Sequence, residues 1–420
     1  MREMKDSGVE WIGQIPKHWE VHPVYAYFEE GKTKNYRMQE QNLLSLSYGR
    51  IIRKDINTNG GLLPASFNTY NVVEAGDIII RPTDLQNDKR SLRTGLVKEQ
   101  GIITSAYIDL RPKDNVNSKY YHYLLHSYDV IKVFYNMGNG VRQGLNFSEF
   151  AKLLLLEPTT VEQQQIADYL DTKCSEIDAT AEDIQKEISL LEDYKKSVIT
   201  EAVTKGLNPD VEMKDSGIEW IGQIPKHWEI IRIGYILGEI DRRSITGMEE
   251  SLSVSQVLGV VPSSQIAVPS TASTMVGQKI VEPGELVLNK LKAHLGVCFV
   301  SNYKGLVSPD YAVYKANEKV KSKLLEYVFH TASCIWEFKK YITGVGQGLS
   351  RLYTKDLFRI NVALPDMLEQ QQIVSYLDTK CSEIDTLIAD KKRQLDILAE
   401  YKKSLIYEYV TGKKEVPINE

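Results

Sequence analysis

Side chains able to form paired hydrogen bonds gather on glycine-flanked loops in two stretches of this chain. Gly140-Val141-Arg142-Gln143-Gly144-Leu145-Asn146 carries Arg142, Gln143 and Asn146, and Gly344-Val345-Gly346-Gln347-Gly348-Leu349-Ser350-Arg351 carries Gln347, Ser350 and Arg351. A second loop follows a strand-like run. It begins Arg81-Pro82-Thr83-Asp84-Leu85-Gln86 and continues through Lys89, Arg90 and Arg93; its counterpart is Asn289-Lys290-Leu291-Lys292-Ala293-His294. Tyr48 and Arg50 form a smaller third group. Arg and Lys match guanine in the major groove, while Asn and Gln match adenine. Half or more of protein–DNA hydrogen bonds go to the sugar–phosphate backbone, so on a DNA-reading surface such side chains are expected to divide between base and phosphate contacts.

Catalytic motifs are missing around them. An adenine methyltransferase needs an Asn/Asp-Pro-Pro-aromatic motif and a glycine-rich cofactor loop, and the sequence has neither. Gly138-x-Gly140 and Gly344-x-Gly346-x-Gly348 lack the GxGxxG spacing between strand and helix that a dinucleotide requires. No GxxxxGK[ST] loop occurs. Pro209-Asp210-Val211-Glu212-Met213-Lys214 imitates a nuclease pattern, but within one linker it cannot bring two strands' carboxylates around a metal. The seven histidines form no zinc-ligand pairs. The expectation is a chain without catalysis, metal or cofactor of its own.

Long helices must position the loops. From Thr159 to about Lys205, apolar or small residues recur three and four apart: Leu170, Cys174, Ile177, Ala181, Ile184, Ile188 and Leu191, then Lys195, Val198 and Ala202. That average of 3.5 keeps one seam toward a partner helix. Thr159-Thr160-Val161-Glu162 reads as a capping box. The partner is in the same chain: EQQQIADYLDTKCSEID at 162–178 returns as EQQQIVSYLDTKCSEID at 369–385. Its seam continues through Leu377, Cys381, Ile384, Ile388, Leu395, Leu398, Leu405 and Tyr409, and only Lys391 opposes it. An antiparallel pair of equal rods is expected.

A second repeat precedes each head. MKDSGVEWIGQIPKHWE at 4–20 returns as MKDSGIEWIGQIPKHWE at 213–229. Its tryptophans could stack on bases, but a clip that docks each head on the rods is the plainer reading. Between clip and rod, β-branched runs separated by turns predict mixed strands (Leu43–Leu46, Val72–Arg81, Ile102–Leu110; Ser251–Val257, Glu285–Leu288, Gly296–Val300, Tyr311–Tyr314). A helix is expected at 118–137 and again at 320–342. The order is 1–157 clip and first head, 158–207 rod, 208–368 clip and second head, 369–414 rod, and 415–420 tail. The expected fold class is α+β, with two mixed α/β heads separated by antiparallel coiled-coil helices and an internal pseudo-twofold repeat.

Charge follows this division. Residues 162–204 carry 4 basic and 11 acidic side chains, whereas 22–157 carry 17 and 14 and 231–368 carry 16 and 12. The net charge of −5 therefore hides two mildly basic heads. Apolar runs such as Leu153–Leu156 are too short for a membrane, and Met1–Asp6 lacks a signal-peptide core. Four cysteines without metal spacing fit a reducing cytoplasm.

IGQIPKHWE, the GxxxGL loops and EQQQIxxYLDxKxxEID before a long helix, all duplicated in order, resemble the specificity subunit of Type I restriction–modification systems. The resemblance covers essentially the whole chain. It implies two target-recognition domains, each reading half of a split duplex DNA sequence. It also implies rods that space them and dock two modification (methyltransferase) subunits, with restriction subunits joining the full complex. S-adenosylmethionine would then belong to the modification subunit. A structural coiled-coil adaptor holding two protein-binding modules is the other reading; it explains the rods but not the repeated Arg/Gln-rich loops.

Overall fold

The structure, a computed structural model, describes residues 2–57, 66–83, 85, 91–137, 144–266, 275–343 and 350–417. The chain divides into two compact units, Met1–Ile184 with Arg393–Glu420, and Gln185–Lys392. Both boundaries fall inside long helices, Thr160–Lys205 and Met367–Val410, so each unit contains part of each helix.

In the first unit, two four-stranded sheets form the head. One has the order Arg50–Lys54, Leu43–Ser47, Gly101–Ile103, Asn71–Val73; the other runs Phe28–Glu30, Ile108–Pro112, Ile78–Ile80, Thr94–Leu96. The apolar run at Val72–Arg81 thus serves two sheets. It breaks at Glu74–Asp77, where the Asp77 carboxylate accepts the Glu74 N–H at 2.8 Å and Gly76 adopts a φ of 102°. Ile78, Ile79 and Ile80 are all fully buried, as a short central strand requires. Asn117 caps the helix Ser118–Val130 by accepting the Tyr120 N–H at 3.1 Å, and that helix buries Tyr120, Tyr121, Leu124, Leu125 and Tyr128. The chain enters and leaves the head through one antiparallel strand pair, Glu20–Pro23 with Leu154–Glu157.

The second unit repeats the plan. Its main sheet has the order Leu237–Ile240, Tyr311–Ala316, Leu286–Asn289, Cys298–Val300, and its neck pairs Glu229–Arg232 with Asn361–Leu364. The helix expected at 320–342 is two, Ser322–His330 and Ala332–Tyr341. Thr331 leaves helical geometry between them, and its hydroxyl accepts the Cys334 N–H at 3.3 Å as the cap of the second piece.

Within each unit the two long helices pair antiparallel. In the first, Lys402 meets Asp178 at 2.7 Å and the Tyr409 and Tyr169 hydroxyls lie 3.2 Å apart. In the second, Lys195 meets Asp385 at 2.7 Å and Lys391 pairs with Glu187. Lys391 therefore interrupts the apolar seam as the cation of an ion pair. Leu170, Cys174, Ile188, Leu377, Ile384 and Leu405 are buried along the seam.

One buried polar group in the first head is poorly satisfied. Asp109 is 1% exposed and both its carboxyl oxygens lack hydrogen-bond partners. Burial, with Asp77 beside it, pushes its pKa up to about 7. Gly31 is the residue that fits opposite, because a Cβ there would collide with the Asp109 carboxylate. An acid whose pKa is raised on folding holds its proton only in the native state between its unfolded value, near 4, and about 7. The first unit should therefore lose stability as pH rises through that window, by up to about 1.36 kcal/mol per pH unit. Asp109→Asn should flatten this slope and make the unit more stable than the parent at pH 8. Denaturant melts of both proteins across pH 4–8 check this; an unchanged slope would mean that Asp109 is already ionised.

Candidate nucleic-acid interface

The repeated motifs form joints between head, clip and helix. Glu162, in the first turn of its helix, accepts the indole N–H of Trp19 at 3.4 Å and lies 3.0 Å from His18 Nε2. It also pairs with Arg2 and closes a capping box by accepting the Thr159 N–H at 3.1 Å. Partial burial raises the Glu162 pKa, but hydrogen bonds from His18, Thr159 and Trp19 outweigh it and hold the carboxyl below its ordinary range. The second unit repeats this joint. Glu369 accepts Trp228 Nε1 at 3.2 Å and lies 2.7 Å from His227 Nε2. Trp19 and Trp228 are buried, which leaves neither ring free to stack on a base.

Further along the motif, the Tyr123 hydroxyl donates to Asp171 at 2.8 Å and the Tyr327 hydroxyl to Asp378 at 2.7 Å. Gln163 and Gln370 donate to the Pro158 and Pro365 carbonyls, each at 3.0 Å. Cys174 and Cys381 are buried, and burial raises both thiols. The residues of EQQQIxxYLDxKCSEID that these contacts engage hold joints between head and helix.

On these supports the described ends of the two flagged loops meet in each head. The Leu145 N–H donates to the Pro82 carbonyl at 3.0 Å, and the Leu352 N–H donates to the Lys290 carbonyl at 3.1 Å. Segments roughly 60 residues apart in sequence are thus tied by one backbone bond in each unit. In the second, Lys290, Tyr353, Thr354, Lys355 and Glu239 line an open groove. Lys292 and His294, on the turn that follows Lys290, are exposed. Burial lowers the Lys290 pKa. Arg351 pairs with Asp310 at 3.2 Å, and Ser350 is half-buried. Tyr353 and Lys355 were not among the expected residues, although they directly follow Arg351-Leu352.

Other expected residues have different places. Arg93 is 0% exposed, so it is not a reading residue. Its Nε donates to the Tyr135 hydroxyl at 3.0 Å, its guanidinium bonds the Thr83 carbonyl, and its backbone N–H bonds Asp129. It shapes the 81–83 turn from below. Asn289 is 6% exposed and caps the next turn by accepting the Leu291 and Lys292 N–H groups, each at 3.2 Å. Asn146 is exposed, but its Oδ1 caps Phe147–Phe150 and accepts from Ser148 and the Glu149 N–H. That occupies the acceptor which bidentate adenine reading uses.

Tyr48 stands 81% exposed at the tip of the Leu43–Ser47/Arg50–Lys54 hairpin, and Arg50 reaches Asp178 at 3.2 Å. Such an exposed pair is weak enough for a phosphate to replace. Arg81 is half-buried. Asp84, Gln86, Arg90, Arg142, Gln143 and Gln347 lie outside the described residues.

A family model for the type I restriction modification DNA specificity domain matches residues 30–190 and 270–396. The chain belongs to this family. It is similar to the MjaX type I restriction enzyme specificity subunit of Methanocaldococcus jannaschii, at 27% identity over 96% of both chains. It is also 23% identical to the MjaVIII specificity subunit of that organism, over 76% of this chain and 75% of the relative.

Its fold matches a chain from a type I R-M system assembly with a TM-score of 0.69 at 14% identity, over 95% of this chain and 99% of the other. The HsdS subunit from Thermoanaerobacter tengcongensis matches with a TM-score of 0.52 at 15% identity, over 95% and 98%. As a specificity subunit, the chain is the DNA-sequence-recognition component of a type I restriction–modification enzyme. No helix among its described residues is long and apolar enough to cross a membrane.

Proposed function

We propose that each unit reads one half of a bipartite duplex target with its paired loops, while the two long helices set the spacing and dock two modification subunits. The carrying observation is the backbone bond that joins the two Arg/Lys/Gln-bearing loops in both units, Leu145 to Pro82 and Leu352 to Lys290. In this reading the chain is non-catalytic and binds no cofactor, S-adenosylmethionine arrives with the modification subunit, and restriction subunits join the full assembly. The cytoplasm is its place of work, which suits four buried cysteines without a disulfide.

The groove supplies the test. Lys292→Ala and Lys355→Ala should weaken binding to duplex DNA, measured with the modification subunit present, about equally for target and non-target sequences. Each should lower the salt slope by about 0.9 for a lost phosphate contact. Unchanged affinity and slope in both variants would remove the groove from the interface.

A further inference from the structure

We propose that the neck of the first unit binds one divalent transition-metal ion, of the zinc class, through Glu20, His22 and Glu157. Among the described residues these three form the one grouping of His, Cys, Asp or Glu whose ligand atoms all lie within 4.8 Å of one another. Glu20 and His22 are two apart on one strand, so both side chains face the same way. Glu157 lies directly opposite Glu20 on the paired strand, and His22 opposes the adjacent Leu155. Like charges in directly opposed positions destabilise a strand pair unless something positive lies between them.

His22 Nε2 is 3.0 Å from a Glu20 oxygen and 3.3 Å from a Glu157 oxygen. Ligand atoms bound at about 2.0–2.2 Å around a tetrahedral ion lie roughly 3.3–3.6 Å apart, so the two histidine pairs need open only slightly to admit an ion. One imidazole and two carboxylates suit zinc better than magnesium, which demands six oxygens in octahedral geometry.

A second observation points into the same spot. The Tyr27 residue is 8% exposed and its hydroxyl makes no hydrogen bond of ordinary geometry. Burial raises this hydroxyl's pKa, with Tyr121 and Glu157 adding to the shift. The His22 and Tyr27 rings meet edge to face at 6.2 Å. A ligated Glu157 would turn its second oxygen toward this hydroxyl, as metal-bound carboxylates are commonly held by a neighbouring donor.

The second unit is an internal control. Its neck keeps Glu229 where the first has Glu20, but Ile231 replaces His22 and Leu364 replaces Glu157. The trio is thus an addition to one neck of a duplicated frame. Bound there, an ion would tie the strand entering the head to the strand leaving it for the long helix.

Titration of the untagged full chain with Zn²⁺ at pH 7.5, read by calorimetry, tests this. One site per chain is expected, weakened about tenfold or more by His22→Asn and by Glu157→Gln. Both positions are part-exposed, so both variants should fold, and zinc should raise the melting temperature of the parent but not of either variant. Absence of binding at millimolar zinc, binding unaffected by either substitution, or equal binding of Mg²⁺ or Ca²⁺ would each overturn the proposal.

Discussion

Replacing residues 22–157 with the corresponding segment of another specificity subunit should change one half of the methylated DNA sequence and leave the other half intact. The structure explains why so large an exchange can be tolerated. Both ends of the segment lie on one strand pair, where His22 faces Leu155 and Glu20 faces Glu157. The backbone bonds of that pair do not depend on which residues occupy it. The clip and helices keep their own contacts, Trp19 to Glu162 and Lys402 to Asp178. Mapping methylated adenines in DNA from cells carrying the hybrid and its modification subunit reads the result directly. A simultaneous change in both halves would show that the units do not read independently.

Trp19→Ala should unfold the first unit's joint and leave the second intact. The ring is fully buried, within reach of Pro16 and Gly412, and its N–H goes to Glu162. Truncating a buried tryptophan costs about 3–5 kcal/mol. Removing the indole also takes a donor from the half-buried Glu162 carboxylate. Against a typical domain stability of about 5–15 kcal/mol, that is a large fraction. Differential scanning calorimetry should show one transition displaced downward. Trp228→Ala, at the equivalent joint with Glu369, should displace the other. If both variants lowered the same transition equally, the two joints would not stabilise separate units.

Periodic and local features were legible in the sequence. The 3.5-residue seam predicts the long helices, which run Thr160–Lys205 and Met367–Val410. The Thr159/Glu162 capping box is present with both of its hydrogen bonds. The same Glu162 also receives Trp19 and His18, over 140 positions away, and no local pattern announces that role. Arg93 was misread for the same reason. Its partners Asp129 and Tyr135 lie 36 and 42 residues downstream, so an arginine in a turn gave no sign of being buried. Asn289 and Asn146 show a different ambiguity. Asparagine is favoured both at helix caps and at adenine edges, and only the chain's local path decides between them.

The composition of the first unit inverts the order in which the molecule is completed. A ribosome that has released residues up to Lys392 has supplied every residue of the second unit. The first unit, begun earlier, still lacks Arg393–Glu420. Leu405, Ile406, Tyr409 and Val410 belong to its apolar core, and the Tyr120 hydroxyl donates to the Val410 carbonyl at 3.1 Å across 290 positions. The first head must therefore wait for residues 393–410, with the surface meant for Val410 uncovered in the meantime. A chain cut just after Lys392 would damage the first head and spare the second, which lies nearer the cut.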